Sequence, residues 1–159
     1  MDMSDHQAYL KLLRELGDCL DRLGELSEQK AQTVRADDLL AMDEVLKQEQ
    51  VLSLSLRGLE QRRVKLLAKL GLSDVPLAEL PGKYPPELMD EAKQTVEGLR
   101  SSFKVFRARA DMARSLLELN LHQIDKMIVA AGADPADVGA GYKAPGMEPP
   151  KNMKTDFRA

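Results

Sequence analysis

Large aromatic side chains are scarce in this chain, which has no tryptophan, three phenylalanines and three tyrosines among 159 residues. Its core must therefore be aliphatic. The single cysteine, Cys19, excludes an intrachain disulfide and fits a reducing compartment, and we expect its thiol to be packed and inert. The chain has neither a secretion signal at its acidic N-terminus nor an uncharged apolar run of about 18 residues. We therefore expect a cytoplasmic protein without stable membrane insertion.

The chain also lacks an excess of one charge. Its 23 basic and 26 acidic residues are interleaved and leave a formal net charge of -3. A nucleic acid or an anionic membrane would favour a basic stripe, so the composition argues against both partners. Gly-rich phosphate loops, Cys-x-x-Cys pairs and Gly-x-Ser-x-Gly elbows are missing as well. We expect neither an enzyme nor a cofactor.

What the chain does contain is apolar residues at alternating spacings of three and four. The clearest case lies between Asp38 and Leu70, where seven of nine such positions are apolar. These positions are Met42, Val45, Glu49, Leu52, Leu56, Leu59, Arg63, Leu66 and Leu70. The spacing predicts an amphipathic helix, since a strand would repeat every two residues. We expect Glu49 and Arg63, which interrupt the apolar seam, to extend their charged ends to its edge.

Similar spacing in two further segments predicts an all-α fold. We expect three long helices, at about residues 5–35, 38–70 and 86–131. Packed together, they would form an elongated antiparallel bundle with coiled-coil-like seams. The first helix becomes less apolar after Leu26, so its end is either frayed or in contact with a polar partner surface.

Helix-breaking residues divide the chain between and after these helices. Asp37–Asp38 marks a hinge or, alternatively, a bend within one continuous helix. A Pro/Gly-rich connection at 71–85 carries enough apolar residues to pack over one end of the bundle. Residues 1–131 would then form the helical domain. From 132 to 159 the chain has four Gly and four Pro and no apolar period, which predicts a flexible tail.

The lengths of the helices indicate a candidate contact site. At about 1.5 Å per residue, the second helix is roughly 50 Å long and the third roughly 67 Å. Aligned antiparallel, the third helix passes the hinge by about 18 Å, over residues 120–131. Apolar residues on such an unpaired end usually mark a contact site. Alternatively, the first helix or the tail folds over this end and buries it.

Two polar features of the same end allow more than one interpretation. Asn120 lies on the apolar stripe, where it can specify helix register, bond to a partner's backbone or be merely partly exposed. His122 has Glu118 and Asp125 one turn away, the spacing of a metal pair. Because di-metal bundles need such a motif on two helices, we expect a solvated polar face and no metal.

Several short runs form an ordered pattern along the chain. They are Gln29–Ala31, Asp37–Asp38, Gln48–Leu52, Leu59–Arg63, Lys69–Gly71, Leu77–Leu80, Leu116–Asn120, and Gly141–Tyr142 with Gly146. In order and spacing they resemble the FlgN-type chaperones of flagellar type III export, over almost the whole chain. One departure is Leu117, which stands where members often carry the first of two asparagines.

The resemblance implies a cytoplasmic export chaperone. Such proteins bind the amphipathic terminal helix of hook-associated (hook–filament junction) subunits, prevent premature assembly and deliver them to the export gate. Carried onto this chain, the cargo site comprises Leu117, Asn120, Leu121, Ile124, Met127 and Ile128. The resemblance also implies that Tyr142, with Gly146, docks on the cytoplasmic domain of the gate. Tyr142 has an alternative role, which is to pack the tail back onto the bundle.

A second class of function stays open from the sequence. A structural coiled-coil scaffold would self-associate through the same seams, and an adaptor of another secretion system would share the fold. A homodimer is possible. A scaffold should form a stable dimer or larger species without cargo, whereas a chaperone should form a defined complex with a subunit's terminal helix.

Overall fold

The computed structural model describes residues 3–132, and most of these are helical. The long helices are α1 at Met3–Ala36, α2 at Leu39–Lys69 and α3 at Met89–Ala130, with 3-10 helices at Leu77–Lys83 and Pro86–Leu88. Each long helix begins and ends within about one turn of its predicted position, and the all-α fold is confirmed. In this part of the chain, no helix is apolar over a length that would cross a membrane.

A two-residue turn at Asp37 and Asp38 joins α1 to α2. Asp37 has a φ of 52°, the left-handed conformation that ends many helices. The N–H groups of Asp37 and Asp38 donate to the carbonyls of Val34 and Thr33 at 3.3 and 3.1 Å. The Asp38 carboxylate then accepts a hydrogen bond from the N–H of Ala41 at 3.1 Å and caps α2. The turn thus ends one helix and starts the next in the opposite direction.

Ion pairs show that α2 runs antiparallel to α1. Glu15 pairs with Arg62 at 3.2 Å, and Lys30 pairs with Glu49 at 2.6 Å. Residue numbers therefore rise along α1 while they fall along α2. Ser27, Lys30 and Ala31 are buried, so the less apolar end of α1 is packed and not frayed.

Helix α3 runs in the same direction as α1 and opposite to α2. We call the end of the bundle at Met3 its lower end and the end at Ala36 its upper end. Arg14 pairs with Glu91 towards the lower end, and Glu28 pairs with Arg109 near the upper end, both at 3.1 Å. Gly24 allows a close approach there, since an added Cβ would lie 3.3 Å from the Arg109 side chain. Helix α1 packs along both outer helices, whereas α2 and α3 contact each other little.

The core is aliphatic, as the composition predicts, and α1 supplies its centre. Leu10, Leu13, Leu16 and Leu20 are fully buried in α1. The buried apolar residues of α2 and α3 are fewer than those of α1. They lie along one face of each helix, because α2 and α3 each pack on α1 through that face. The bundle is therefore organised around a shared central helix.

The expectation that Glu49 and Arg63 reach the edge of the seam is wrong. Their exposed fractions are 3% and 1%. Glu49 is paired with Lys30, and the Arg63 guanidinium donates to both carboxylate oxygens of Glu60 at 2.8 Å and to the Tyr9 hydroxyl at 3.3 Å. Buried charges persist when they are paired and hydrogen-bonded in this way. The apolar spacing within one helix does not show which residue of the facing helix lies opposite a charged position.

The connection between α2 and α3 packs on the lower end of the bundle, as predicted. Leu77, Leu80 and Tyr84 are buried there. The Tyr84 hydroxyl donates to the backbone carbonyl of His6 at 3.0 Å, and the two rings meet edge to face with centroids 4.6 Å apart. These contacts hold the start of α3 beside the start of α1.

Candidate functional site

At the upper end of the bundle, α3 extends past α1. The Glu28–Arg109 pair sets the level of the two helices. Because both rise equally per residue, Ala36, the last residue of α1, lies beside about Leu117. Leu117 is the last buried residue of α3. The following residues, 118–130, rise about 20 Å above the turn, and we name them the α3 overhang.

The apolar stripe of α3 continues along the overhang. Leu121, Ile124 and Met127 are 39%, 41% and 71% exposed, and Asn120 and Ile128 are partly exposed. Their spacing of three and four keeps them on the face with which α3 packs on α1 lower down. The overhang predicted from helix length is thus present. Helix α1 does not fold over it, since α1 has already ended.

The structure separates the residues of the predicted cargo site into two groups. Leu117 is only 5% exposed, so its side chain belongs to the packed bundle. The other residues predicted for cargo binding all lie on the overhang. The second predicted site, Tyr142 and Gly146, falls outside the described residues.

The polar face of the overhang carries charges that are exposed or paired locally. Glu118 forms an ion pair with Arg114 of the preceding turn at 3.3 Å, and His122 and Asp125 are exposed. Within residues 3–132, His, Cys, Asp and Glu form no group of three or more that could hold a metal ion.

Cys19 lies buried between α1 and α2. Its thiol donates a weak hydrogen bond to the Leu52 carbonyl, with Sγ and O 3.5 Å apart. Burial raises the pKa of this thiol, and the nearby positive charge of Arg22 lowers it by less. A raised pKa leaves little thiolate, which is the reactive form. Cys19 therefore serves as a packing residue.

Two exposed leucines at the start of α2 were not predicted from the sequence. Leu39 and Leu40 are 82% and 87% exposed, more than any other large apolar residue of the described chain. They follow the Asp38 cap directly and lie at the level where the overhang begins. A signal was available, since the seam of α2 begins at Met42 and its period leaves both leucines outside the seam.

Comparison with models of protein families gives a match that covers most of the chain. The family model described as FlgN protein matches residues 1–150, nearly the whole chain, including all three long helices. Searches of curated proteins and of solved structures find no match. The family match agrees with the resemblance seen in the short sequence runs and with the all-α fold. The chain therefore belongs to the FlgN family, a family of flagellar export chaperones.

Proposed function

We propose that this protein binds hook-associated subunits through the α3 overhang in the cytoplasm and delivers them to the export gate. The observation that supports this function is the apolar stripe of α3, which continues past the end of the helix that covers it. An amphipathic helix of a subunit can take the place of α1 along this stripe. Helix-in-groove binding of this kind covers the apolar face that would otherwise drive premature assembly.

The exposed side chains of the overhang provide an apolar surface for a partner. Leu121 and Ile124 are about two-fifths exposed and Met127 about two-thirds exposed. At about 1.5–3 kcal/mol for full burial of such a side chain, covering all three contributes roughly 2–4.5 kcal/mol. Met127 adapts to an irregular partner because its side chain is flexible and polarisable. Asn120 supplies a polar group on the stripe for a hydrogen bond to the partner.

Charge substitutions on the overhang test this proposal. We expect Ile124→Lys and Met127→Lys to abolish binding of a purified hook-associated subunit, because a buried lysine would lose its hydration. Circular dichroism and melting should stay near wild type, since both positions are exposed in the free protein. Leu54→Lys is a matched control, as Leu54 is 66% exposed on the outer face of α2. Unfolding of the overhang variants, or unchanged binding, would contradict the proposal.

Docking on the export gate is a separate proposal that concerns the tail. The FlgN-type pattern assigns it to Tyr142 and Gly146, and a flexible tether of the predicted kind lets one chaperone hold cargo and reach the gate together. We expect Tyr142→Ala to retain cargo binding and to lose binding to the cytoplasmic domain of the gate. Tyr142→Phe is the control that keeps the ring. Equal affinity of wild type and Tyr142→Ala for the gate would refute this role.

A further inference from the structure

We infer that the cargo helix crosses α3 obliquely and passes from the overhang into a groove between α1 and α3, where it contacts Met112 and Leu116. The inference rests on the proposed function, because it extends the contact surface of the same partner. Specific interfaces usually involve about 20–30 residues on each side, and the overhang offers only residues 118–130. Since α1 occupies its own line up to Ala36, a cargo helix that reaches lower must pass to one side of α1.

One side of α3 continues the apolar surface of the overhang downwards. Counting down in fours from Ile128 gives Ile124, Asn120, Leu116 and Met112, which we name the lateral row. Ile124 and Met112 are 41% and 61% exposed, and the other three residues are partly exposed. Residues four apart form a ridge on a helix surface. The lateral row is thus one ridge about 24 Å long, with Asn120 as its single polar member.

The other side of α3 is polar. Counting down in threes from Ile124 gives Leu121, Glu118 and Ser115. Glu118 pairs with Arg114, and the two side chains are 67% and 50% exposed. A helix that descended on this side would remove water from both charges, which costs free energy that a surface ion pair returns poorly. The lateral row is therefore the favoured path.

A groove is open where the lateral row comes down beside α1. The Glu28–Arg109 pair sets the level of the two helices, so Met112 is level with Ala31. A cavity of about 310 Å³ lies there. It is lined by Ala31, Gln32 and Arg35 of α1 and by Ala108 and Met112 of α3, beside the Glu28–Arg109 pair.

The inclination of the lateral row carries a helix clear of α1. Rows of residues four apart are inclined by about 26° to the helix axis. Over the rise of about 24 Å between Ile128 and Met112, the row therefore moves sideways by about 12 Å. Packed helix axes are about 8–10 Å apart. A helix that covers Ile128 can thus lie beside α1 at the level of Met112.

Continuity and charge identify the occupant of the groove as the lower part of the cargo helix. The lateral row joins the groove to the overhang without a break, so one apolar helix face covers both. The groove is lined by two arginines and one glutamate, a net charge of +1. Because Glu28 is paired with Arg109, Arg35 supplies this charge. We therefore expect a carboxylate near the lower end of the cargo helix.

Met112→Gln tests the inference. Glutamine keeps helix propensity and a similar length, but it removes the apolar contact. Titration calorimetry with a purified hook-associated subunit should show binding weakened by about fivefold to twentyfold. Val129→Gln is the matched control, since Val129 is 60% exposed on the charged face with His122 and Asp125, and it should bind within about twofold of wild type. Both variants should melt like the wild type, because both positions are exposed.

A thiol placed in the groove measures its coverage directly. Cys19 is the only cysteine and is buried, so Met112→Cys and Val129→Cys each carry one accessible thiol. Alkylation by N-ethylmaleimide, followed by mass spectrometry of the chaperone, reports its accessibility. Saturating subunit should slow alkylation of Met112→Cys and leave that of Val129→Cys unchanged.

The outcomes separate this inference from the function on which it rests. If Met112→Gln binds like wild type, or Met112→Cys is not protected, while Ile124→Lys fails to bind, the oblique path is wrong and the cargo proposal stands. If Ile124→Lys also binds like wild type, the cargo proposal itself fails. Protection of Met112→Cys that rises with chaperone concentration in the absence of cargo would assign the groove to a second copy and overturn the inference.

Discussion

Replacing Lys30 with methionine should destabilise the protein by about 3–5 kcal/mol, because it leaves a carboxylate buried without its cation. The side chains of Lys30 and Glu49 are each only 4% exposed, and their charged atoms lie 2.6 Å apart. Methionine matches the length of the lysine stem, so little packing is lost. Most of the loss therefore measures the cost of the unpaired Glu49 charge.

Replacing both partners should remove that cost. A Lys30→Met/Glu49→Leu double variant places two apolar side chains in the same interface and should be as stable as wild type, or more stable by about 1–4 kcal/mol. Urea denaturation followed by circular dichroism measures both effects, and the cycle of two single variants and one double variant gives the coupling. Lys47→Met is the control for an exposed pair. Its partner is Asp43, both side chains are about two-thirds exposed, and we expect almost no change in stability.

The pH dependence of stability supplies an independent arm of the test. Burial raises the pKa of Glu49 above its ordinary value of 4.5, and this effect exceeds the lowering by the Lys30 hydrogen bond and charge. The folded state therefore keeps the Glu49 proton to higher pH than the unfolded chain does. It follows that this residue's contribution to stability declines as pH rises from about 4.5 through the raised pKa. The double variant should lack this decline.

Two results would refute the reasoning about the buried pair. One is a cost for Lys30→Met below about 1 kcal/mol, the value typical of a solvated surface pair. The other is a double variant as unstable as the sum of the single variants, which would mean that the two side chains do not interact in solution.

Two further predictions concern the backbone and the lower end of the bundle. Gly58→Ala should raise the free energy of unfolding by about 0.5–1 kcal/mol, because Gly58 lies within α2 with open space around an added Cβ. By contrast, Gly71→Ala should lower the free energy of unfolding by about 1–2 kcal/mol, since Gly71 has a φ of 72° at the end of α2. Urea denaturation in which both substitutions stabilise, or both destabilise, would contradict these two predictions. Tyr84→Phe should cost about 1 kcal/mol through the lost hydrogen bond to the His6 carbonyl. Burial, followed by the charges of Tyr9 and Glu91, raises the pKa of Tyr84 above 10. The wild type should therefore lose stability faster than Tyr84→Phe as pH rises above 10. Parallel curves of stability against pH for the two proteins would contradict this prediction.

The helices were predictable because their signals are local. Spacings of three and four over thirty or more residues exclude a strand. The Asp38 cap, Gly71 and the prolines after it mark the boundaries without any knowledge of the tertiary structure. The relative lengths of the helices then predicted the overhang, because helix rise per residue is constant.

The burial of Glu49 and Arg63 was not predictable in the same way. Whether a charged residue on a seam is buried depends on the residue that faces it across the interface, and this depends on the register of two helices. Lys30 of α1 and Glu49 of α2 become partners only at one alignment of the two helices. Within α2, Glu60 precedes Arg63 by one turn, so half of the second network was present locally. Its other contact, Tyr9, again required the register.

The exposure of Leu39 and Leu40 shows a different limit of prediction from the sequence. Apolar residues outside a seam are common on protein surfaces, and single ones carry no information.

The two-residue turn between α1 and α2 has a consequence for the order of folding. Contacts across such a turn join residues that are close in the chain, and the entropy lost in closing the hairpin is small. Helix α3 must instead return across the longer connection, and it docks mainly on α1. We therefore expect the hairpin to form first during synthesis and α3 to dock last. An incomplete chain emerging from the ribosome would then have no overhang with which to capture a subunit.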